Sequence, residues 1–351
     1  MAAIYVVIHH CRWLLTENYS FRTLKTFNLE NITTKLLIPF RFGHEAVIFF
    51  FVLSGYVIHY STTKYRNSFN FTGYFKKRVN RIFPPLLFAL IITFLLDYFG
   101  KDILKLSTYV EGSKYFGLVV DNLNWQTFLA NFISLQELNL NINHFGSNVA
   151  LWSLSYEWWF YLMYPLFYKI HLKSKYIAIA IQITLFIIFA ILIKEPIPIF
   201  TAIFSKMIIW WFGVLLAELY INSSSLIQYL GFLVLCIPIA ILFFYNNRIF
   251  GDLLWGIGFV GLISYLLSLK ENSKIIILLN KLKSSGSYSF TLYLTHVPII
   301  FLFHSILIYY NNGKLPNSYI YVFVAAAICI FFAKIVSQYI EKLVLFKNSK
   351  N

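Results

Sequence analysis

Long apolar stretches separated by short polar segments run along the whole chain, and their length is that of membrane spans. A transmembrane helix needs about 20 mostly apolar residues. Nine stretches come within a few residues of this length, at about 44–60, 83–99, 148–168, 176–193, 199–220, 226–245, 251–269, 288–310 and 318–340, and a tenth at 1–15 is shorter. The pattern predicts an all-α, polytopic integral membrane protein with about ten transmembrane helices.

Residue composition agrees with this prediction. Of the 351 residues, 59% are hydrophobic and 12% are charged, whereas a typical soluble domain carries about 25% charged residues. A soluble chain of this size could not cover its surface with so few charges. Aromatic residues make up 20% of the chain; Phe suits contact with lipid tails, while Tyr and Trp suit the membrane interface. The composition therefore excludes an ordinary soluble protein.

The basic residues give the expected orientation in the membrane. The net charge is +15, and because the Lys and Arg residues occupy short loops between spans, they indicate topology rather than a nucleic-acid site. Cytoplasmic loops are enriched in Lys and Arg, and with a cytoplasmic N-terminus the inner loops hold more of them than the outer loops. We expect both termini in the cytoplasm, a single transmembrane domain over residues 1–346, no soluble domain and no nucleic-acid partner.

Two outer loops, at about 16–42 and 100–147, are longer than the others. The second contains Trp125–Leu135, a segment rich in apolar residues that begins with Trp. Such a segment beside a span is typical of a helix lying along the membrane surface, and this is the structure that we expect for it.

Two motif-like features are not interpreted as binding sites. Cys11, Cys236 and Cys329 show no CxxC spacing, which argues against a disulfide framework or a structural zinc site; we expect each to be a small buried hydrophobic residue and expect no bound metal. Gly256–Gly261 matches the dinucleotide-binding pattern GxGxxG. It lies inside an apolar span without a preceding strand, so close helix packing explains these glycines better.

Ionisable residues inside membrane spans are candidates for function, because burying a charge in a bilayer costs several kcal/mol unless the charge is used or paired. A basic run, Phe75–Pro84, also lies at the cytoplasmic end of the second span. The ionisable candidates within or beside the spans are His9, His10, His44, Glu45, Glu157, Lys206, Glu218, His296 and His304.

Five stretches around these candidates resemble, in the same order along the chain, motifs of the acyltransferase 3 family. Members of that family are bacterial membrane acyltransferases that modify surface polysaccharides and some small molecules. The stretches are Ala2–His10, Gly43–Tyr56 with its FFxLSG core, Phe75–Pro84 with Arg-x-x-Arg-Ile-x-Pro, Leu151–Leu162 with Trp-Ser-Leu-x-x-Glu-x-x-Phe-Tyr, and more weakly Ser287–His296. Singly each match is modest, but together they are specific and bracket nearly the whole chain.

The resemblance implies a bacterial inner-membrane or plasma-membrane enzyme surrounded by lipid. Its expected reaction transfers an acyl group, expected to be acetyl, from cytoplasmic acetyl-CoA or another acyl-CoA. The expected acceptor is a hydroxyl of an extracytoplasmic surface polysaccharide or lipid-linked glycan. The acyl-CoA is a substrate, and no permanently bound cofactor is expected.

Arg78 and Arg81 are the candidate donor-binding residues. An acyl-CoA carries several phosphate charges, so its site needs cations at the cytoplasmic face, and two arginines three positions apart share one face of a helix. The alternative is that the basic run only anchors the protein to lipid headgroups. The resemblance to the family's basic motif favours donor binding.

His10 is the candidate general base. A sugar hydroxyl is a poor nucleophile, and an imidazole that titrates near neutrality takes its proton as the hydroxyl attacks the thioester. The family's first span ends on a histidine, and aligning Ala2-Ala3 and Val6-Val7 with the family pattern puts that histidine at position 10 rather than at His9. The alternative is a structural histidine that is hydrogen-bonded to a neighbouring helix.

Glu157 is the second candidate catalytic residue, because it matches the glutamate of the family's Trp-Ser-Leu-x-x-Glu motif. A buried carboxylate can orient an imidazole or bind acceptor hydroxyls. His296, Trp152 and Tyr156 are expected to contribute to an acceptor site or pocket, with structural packing as the alternative for each. No partner is apparent for the remaining charged span residues, Lys206 and Glu218, which are expected to extend toward the membrane surface.

The chain departs from the family pattern in two places. Ala46–Ile48 stands where the family often has Gly-Val-Asp, and Glu45 is the candidate replacement for the missing acid. The basic residue that the family places eleven positions before its histidine would precede Met1. The first span also measures only about 22 Å against a hydrocarbon core of about 30 Å. These observations together predict that the natural chain begins upstream of Met1.

Two other functions remain open at this point. A transporter or flippase for a lipid-linked glycan would also suit ten spans with intramembrane His and Glu residues, but it predicts inverted repeats and helices broken near the midplane. The sequence shows no convincing repeat, and most prolines lie near the ends of the predicted spans. An inactive subunit of an envelope assembly is the third possibility, and an activity assay would distinguish it.

Overall fold

The computed structural model describes residues 2–16, 36–63, 69–111, 119–138, 141–192, 198–244, 247–316 and 318–349, and within these ranges the chain forms helices without a strand. The helices are α1 (Ala2–Leu15), α2 (Gly43–Thr63), α3 (Phe71–Tyr98), α4 (Trp125–Phe132), α5 (Trp152–Lys173), α6 (Lys175–Phe186), α7 (Pro198–Ile221), α8 (Leu226–Phe243), α9 (Arg248–Ser268), α10 (Lys274–Lys281), α11 (Ser289–Tyr310) and α12 (Ile320–Ser349). Met1, most of the first long outer loop and part of the second lie outside the described residues.

The all-α membrane architecture is confirmed. In the described ranges, eight helices are long and apolar enough to cross a membrane: α2, α3, α6 together with its helical continuation to Leu192, α7, α8, α9, α11 and α12. The two other predicted spans are also helical: α1 has 14 residues, and α5 has 22 residues but is rich in Tyr and Trp. The protein is therefore a multi-pass membrane protein, while the total of ten spans and the cytoplasmic position of the termini stay predictions.

Helix α3 begins earlier than the sequence suggested. The predicted span started at residue 83, but the helix starts at Phe71, where the side chain of Asn70 accepts a hydrogen bond from the amide of Gly73 at 3.1 Å. This N-cap satisfies one of the free amides of the first turn. The basic run is consequently helical, and Pro84 and Pro85 lie inside the helix rather than at its end, as membrane helices tolerate.

Helices α2 and α7 cross at two glycines. A Cβ atom on Gly55 would lie 2.0 Å from the carbonyl oxygen of Trp210, and one on Gly213 would lie 1.9 Å from that of Val52. Small residues let membrane helices approach this closely. The crossing brings Ser54, next to Gly55, against the indole of Trp210, whose Nε1 donates to the Ser54 hydroxyl at 3.2 Å.

Because backbone atoms fill the space at this crossing, Gly213→Leu should force the two helices apart. We expect a loss of about 3 kcal/mol in the free energy of unfolding, at the upper end of the cost of overpacking a core. Thermal unfolding of the detergent-purified protein measures it. Gly286→Ala is the control, since a Cβ atom there meets nothing within 4 Å; equal stability of the two variants would contradict the proposed close crossing.

The glycines of the GxGxxG sequence pack helices together, as the sequence analysis predicted. Added Cβ atoms on Gly256, Gly258 and Gly261 would come within 3 Å of α7 or of the helix Leu226–Phe243, the closest being Ile237 at 2.5 Å from Gly258. The dinucleotide-binding interpretation is thereby excluded.

The second long outer loop is fastened to the helix bundle by a buried carboxylate. Asp97 accepts hydrogen bonds from the amide of Ser147 at 2.8 Å and from its hydroxyl at 2.7 Å, and Asn148 donates to the Leu294 carbonyl at 2.9 Å. The predicted segment forms a helix that ends at Phe132, three residues early, and its placement along the membrane surface stays a prediction. These contacts hold the start of α5, and hence Trp152 and Glu157, in place.

Candidate active site

A cavity of about 520 Å³ lies between α2, α3, α5 and α11. It brings together three of the sequence-predicted site residues, since both Arg78 and Arg81 line it together with Glu157. The other polar residues of its wall are Ser54, Ser153, Tyr161, Ser289 and Tyr293. A volume of this size is typical of small-molecule sites.

Glu157 belongs to a hydrogen-bond network that joins three helices. Its Oε1 accepts hydrogen bonds from the Ser54 hydroxyl at 3.0 Å and from the Tyr161 hydroxyl. Trp210 in turn donates to Ser54. The carboxylate is therefore held rigidly in the cavity wall. These contacts also mean that Glu157 does not orient the His10 imidazole, which was one of the two roles considered for it.

The two arginines line the cavity from one face of α3, as their spacing predicted. Arg78 lies over the rings of Tyr74 and Tyr161, with its guanidinium carbon 5.5 and 5.6 Å from the ring centroids. Arg81 lies over the Phe290 ring at 5.3 Å. Within the described part of the chain, the buried Nε of Arg78 has no hydrogen-bond partner. Its donor capacity is thus available to an anionic ligand.

His10 and His296 form a direct pair between α1 and α11. The Nδ1 atom of His10 lies 2.8 Å from the Nε2 atom of His296. The other ring nitrogen of His296, Nδ1, lies 2.7 Å from the Tyr293 carbonyl oxygen and 3.1 Å from the Leu292 carbonyl oxygen. The structure thus places His296 directly behind His10.

This geometry fixes the tautomers of the neutral pair. A carbonyl oxygen accepts only, so Nδ1 of His296 carries the proton and its Nε2 is an acceptor. His10 must then donate through its Nδ1, which leaves the lone pair of its own Nε2 free. Among the described residues, no group is hydrogen-bonded to that Nε2. An imidazole with a free ring nitrogen can act as a base, and His296 here occupies the place that a carboxylate has in a Ser-His-Asp triad.

His9 points elsewhere. Its Nδ1 lies 2.9 Å from the Phe40 carbonyl oxygen, and a Cβ atom on Gly43 would lie 2.2 Å from its ring. The side chain is therefore packed against the start of α2. Of the two adjacent histidines, His9 is therefore a packing residue, and His10 is the one with a free ring nitrogen.

Tyr293 connects the histidine pair with the cavity. Its ring lines the cavity wall, and its centroid lies 5.8 Å from that of His296. Its hydroxyl is 2.6 Å from the Ser153 hydroxyl. Tyr293 thus contacts His296 from the cavity wall, while neither His10 nor His296 is among the described residues that line the cavity.

Trp152 and Tyr156 lie in a second polar cluster, near the start of α5. The His44 ring stacks on Trp152 at 5.5 Å, and its Nε2 lies 2.9 Å from Oδ1 of Asp252. Lys206 pairs with the other oxygen of Asp252 at 2.8 Å and lies over the Tyr156 ring. Since His44 covers one face of Trp152, a sugar could stack only on the other face. The expectation that Lys206 extends to the membrane surface is wrong, because Asp252 neutralises it internally.

Glu218 is also internal rather than directed to the surface. Its Oε1 lies 3.1 Å from Nε2 of His59 and 3.0 Å from Nε2 of His171. Sequence reasoning overlooked both histidines, although His59 lies within the second predicted span and was visible as an ionisable residue. It also missed Asp252, which lies at the edge of a predicted span.

The cysteines follow the prediction in part. Cys11 and Cys329 are buried, and the Sγ atom of Cys329 lies 3.7 Å from the His296 carbonyl oxygen. Cys236 is only partly buried. All three are free thiols.

Comparison with known proteins agrees with the motif resemblance. A family model described as an acyltransferase domain matches residues 1–336. The acyltransferase MdmB of Streptomyces mycarofaciens is 34% identical over 143 residues, which are 40% of this chain and 32% of that protein. The O-acetyltransferase OatA of Staphylococcus aureus is 23% identical over an alignment of 342 positions that covers 88% of this chain and 53% of OatA. An O-acetyl transferase of Shigella phage Sf6 is 29% identical over 143 residues, covering 36% of each chain.

The chain spans about half the length of OatA and about a third of MdmB. No solved structure matches. Because the family model covers nearly the whole sequence, and the histidine pair and the cavity are built from the motifs of that family, this multi-pass membrane protein belongs to the acyltransferase 3 family.

Proposed function

We propose that this chain transfers an acyl group, acetyl in the first instance, from cytoplasmic acyl-CoA to a hydroxyl of an extracytoplasmic glycan. The acceptor is a surface polysaccharide or a lipid-linked glycan. The observation that carries the proposal is the His10–His296 pair, whose backbone contacts leave Nε2 of His10 free as a base beside a cavity that holds two arginines. The names of OatA and of the phage relative, both O-acetyltransferases, support the reaction type.

The cavity suits the reactive arm of the donor. Its volume of about 520 Å³ is adequate for an acyl group on a narrow chain. The guanidinium groups of Arg78 and Arg81 line the cavity, and Arg81 is exposed. In this arrangement the phosphates lie at the arginines, and the thioester reaches past Tyr293 toward the histidine pair.

The reaction then needs one base. Nε2 of His10 takes the proton of the acceptor hydroxyl as the oxygen attacks the thioester carbon, the carbon–sulfur bond breaks, and the protonated His10 returns the proton to the departing thiolate. His296 stabilises the transient imidazolium by accepting the hydrogen bond from Nδ1–H of His10. The carbonyls of Leu292 and Tyr293 polarise His296 in the same direction.

Glu157 is proposed to act on the substrate and not on His10. Its carboxylate is fixed by Ser54 and Tyr161 within the cavity wall, and a fixed carboxylate accepts hydrogen bonds from hydroxyl or amide groups. Trp152 and Tyr156 are proposed to border the acceptor near the outer membrane surface. The transporter alternative finds no support in the family match.

Purified protein in proteoliposomes tests the proposal. Radiolabelled acetyl-CoA is supplied on one side, and an envelope glycan fraction from the source bacterium on the other. We expect alkali-labile label on the glycan, in an amount that depends on both substrates. Failure of label to reach the glycan, together with no binding of acetyl-CoA to the protein, would contradict the proposal.

The arginines provide a prediction on donor binding. We expect Arg78→Ala or Arg81→Ala to weaken acetyl-CoA binding by about tenfold to a hundredfold, as befits the loss of a charge-assisted hydrogen bond. Lys substitutions should restore part of this affinity, since Lys offers a point charge in place of a planar fork. The measurement is acetyl-CoA affinity in detergent.

Lys76→Ala is the matched control for this prediction. Lys76 is exposed in the same basic run and does not line the cavity. An equal loss in Lys76→Ala, or full recovery with Lys at both arginine positions, would show that the run is only a membrane anchor.

A further inference from the structure

A cluster of metal-ligating side chains lies outside the cavity lining, near the C-terminal ends of three helices. His59 of α2, His171 of α5 and Glu218 of α7 present one ligand atom each, and these three atoms lie within 4.8 Å of one another. The residues are 0%, 5% and 9% exposed. We propose that they bind a divalent transition metal ion, zinc by the chemistry of the set.

Two of the three separations between ligand atoms are close to those around a tetrahedral ion, and the third is within 4.8 Å. The two imidazole Nε2 atoms lie 3.1 and 3.0 Å from Oε1 of Glu218. Ligands about 2.0–2.1 Å from a tetrahedral zinc ion are separated by roughly 3.3 Å, so a small adjustment admits the ion. Two histidines and one glutamate form an established zinc ligand set, and imidazole also suits neighbouring transition metals.

Groups outside the ligand atoms support the same interpretation. Nδ1 of His59 lies 2.9 Å from the Tyr164 hydroxyl, which can accept a hydrogen bond from the protonated Nδ1 and so leave the Nε2 lone pair free to coordinate. The Asn222 amide donates to Oε2 of Glu218 at 3.1 Å, holding the carboxylate with Oε1 toward the histidines. Outer contacts of this kind orient the ligands of metal sites.

The cluster also shares its helices with the cavity network. Helix α2 carries Ser54 as well as His59, and α7 carries Trp210 as well as Glu218. Helix α5 carries Tyr161 as well as His171. An ion at the cluster would therefore clamp together the three helices that hold Glu157 in the cavity wall, so its role is structural and its loss should loosen the cavity.

The alternative occupant is a proton, with both imidazoles donating hydrogen bonds to the carboxylate. His171→Gln separates the two, because the Gln side-chain amide can donate a hydrogen bond to Glu218 but is a poor metal ligand. Glu218→Gln keeps the shape and removes the charge. His144→Ala is the control, since His144 pairs with Glu137 in the outer loop.

The test uses the whole protein, purified through an affinity tag without histidine, with metals measured by mass spectrometry. We expect about one zinc ion per native or His144→Ala chain and less than about a tenth of that in His171→Gln and Glu218→Gln. Zinc-depleted native protein should unfold about 5 °C lower and recover with added zinc. Another divalent transition metal at the same stoichiometry would support the site and correct the ion.

The proposal would be overturned if the native protein contained no metal, if added zinc did not change its unfolding temperature, and if His171→Gln were as stable as the native protein. The three side chains would then form only a hydrogen-bonded triad. Neither readout depends on acyl transfer.

Discussion

Replacing His10 by Ala should lower the rate of acyl transfer by about 10²–10⁴-fold, the usual contribution of a general base. The His10 Nε2 atom carries the free lone pair of the histidine pair, and the described structure offers no second base at that position. The loss should appear in kcat, since we propose that the donor phosphates bind at Arg78 and Arg81 and not at His10. The measurement is steady-state transfer from acetyl-CoA by purified protein in proteoliposomes.

His9→Ala is the matched control on the neighbouring residue. His9 packs on Gly43 and bonds to the Phe40 carbonyl, so its loss should reduce stability somewhat and the rate by much less. Both variants should insert and accumulate. Full activity in His10→Ala, or an equal loss in both variants, would contradict the assignment of the base.

His296→Ala should lower kcat by about 10²–10³-fold, while the affinity for acetyl-CoA stays within about twofold. Without an acceptor at Nδ1, the His10 imidazole loses the contact that fixes its tautomer and orientation. The loss of this orientation in a serine protease costs on the order of 10⁴-fold. If His296 only positions His10, kcat should fall while the affinity for acetyl-CoA is kept. A general loss of structure would lower both kcat and the affinity.

His296→Gln tests the tautomer argument itself. The Gln carbonyl can accept the hydrogen bond from Nδ1–H of His10, so we expect it to recover at least a tenth of the native kcat. Activity of His296→Gln no higher than that of His296→Ala would show that hydrogen-bond acceptance is not what His296 supplies.

The membrane architecture could be predicted from sequence because each span is a local property of about 20 consecutive residues. The start of α3 was misjudged for the same reason. Its first turns are polar and basic. A hydropathy pattern detects only the apolar part of a helix and misses the polar turns that begin after the Asn70 cap.

The site could be predicted only as separate motifs. His10 and His296 are 286 positions apart, and no spacing rule indicates that their rings meet, because this depends on how α1 packs against α11. The same limit applies to Lys206 and Asp252 and to the three residues of the proposed metal cluster. Arg78 and Arg81 were correctly predicted to share one helix face, because this is again a local property, while their role in donor binding stays a prediction.

Deletion of the gene, followed by complementation with the native chain or with His10→Ala, tests the central claim most directly. Ester-linked acetyl groups on the surface glycans of each strain are released with alkali and quantified, and immunoblots confirm equal amounts of protein in the membrane. We predict that the deletion strain loses a class of O-acetyl groups, that the native chain restores it and that His10→Ala does not. An unchanged acetylation profile in the deletion strain, or full restoration by His10→Ala, would contradict the account.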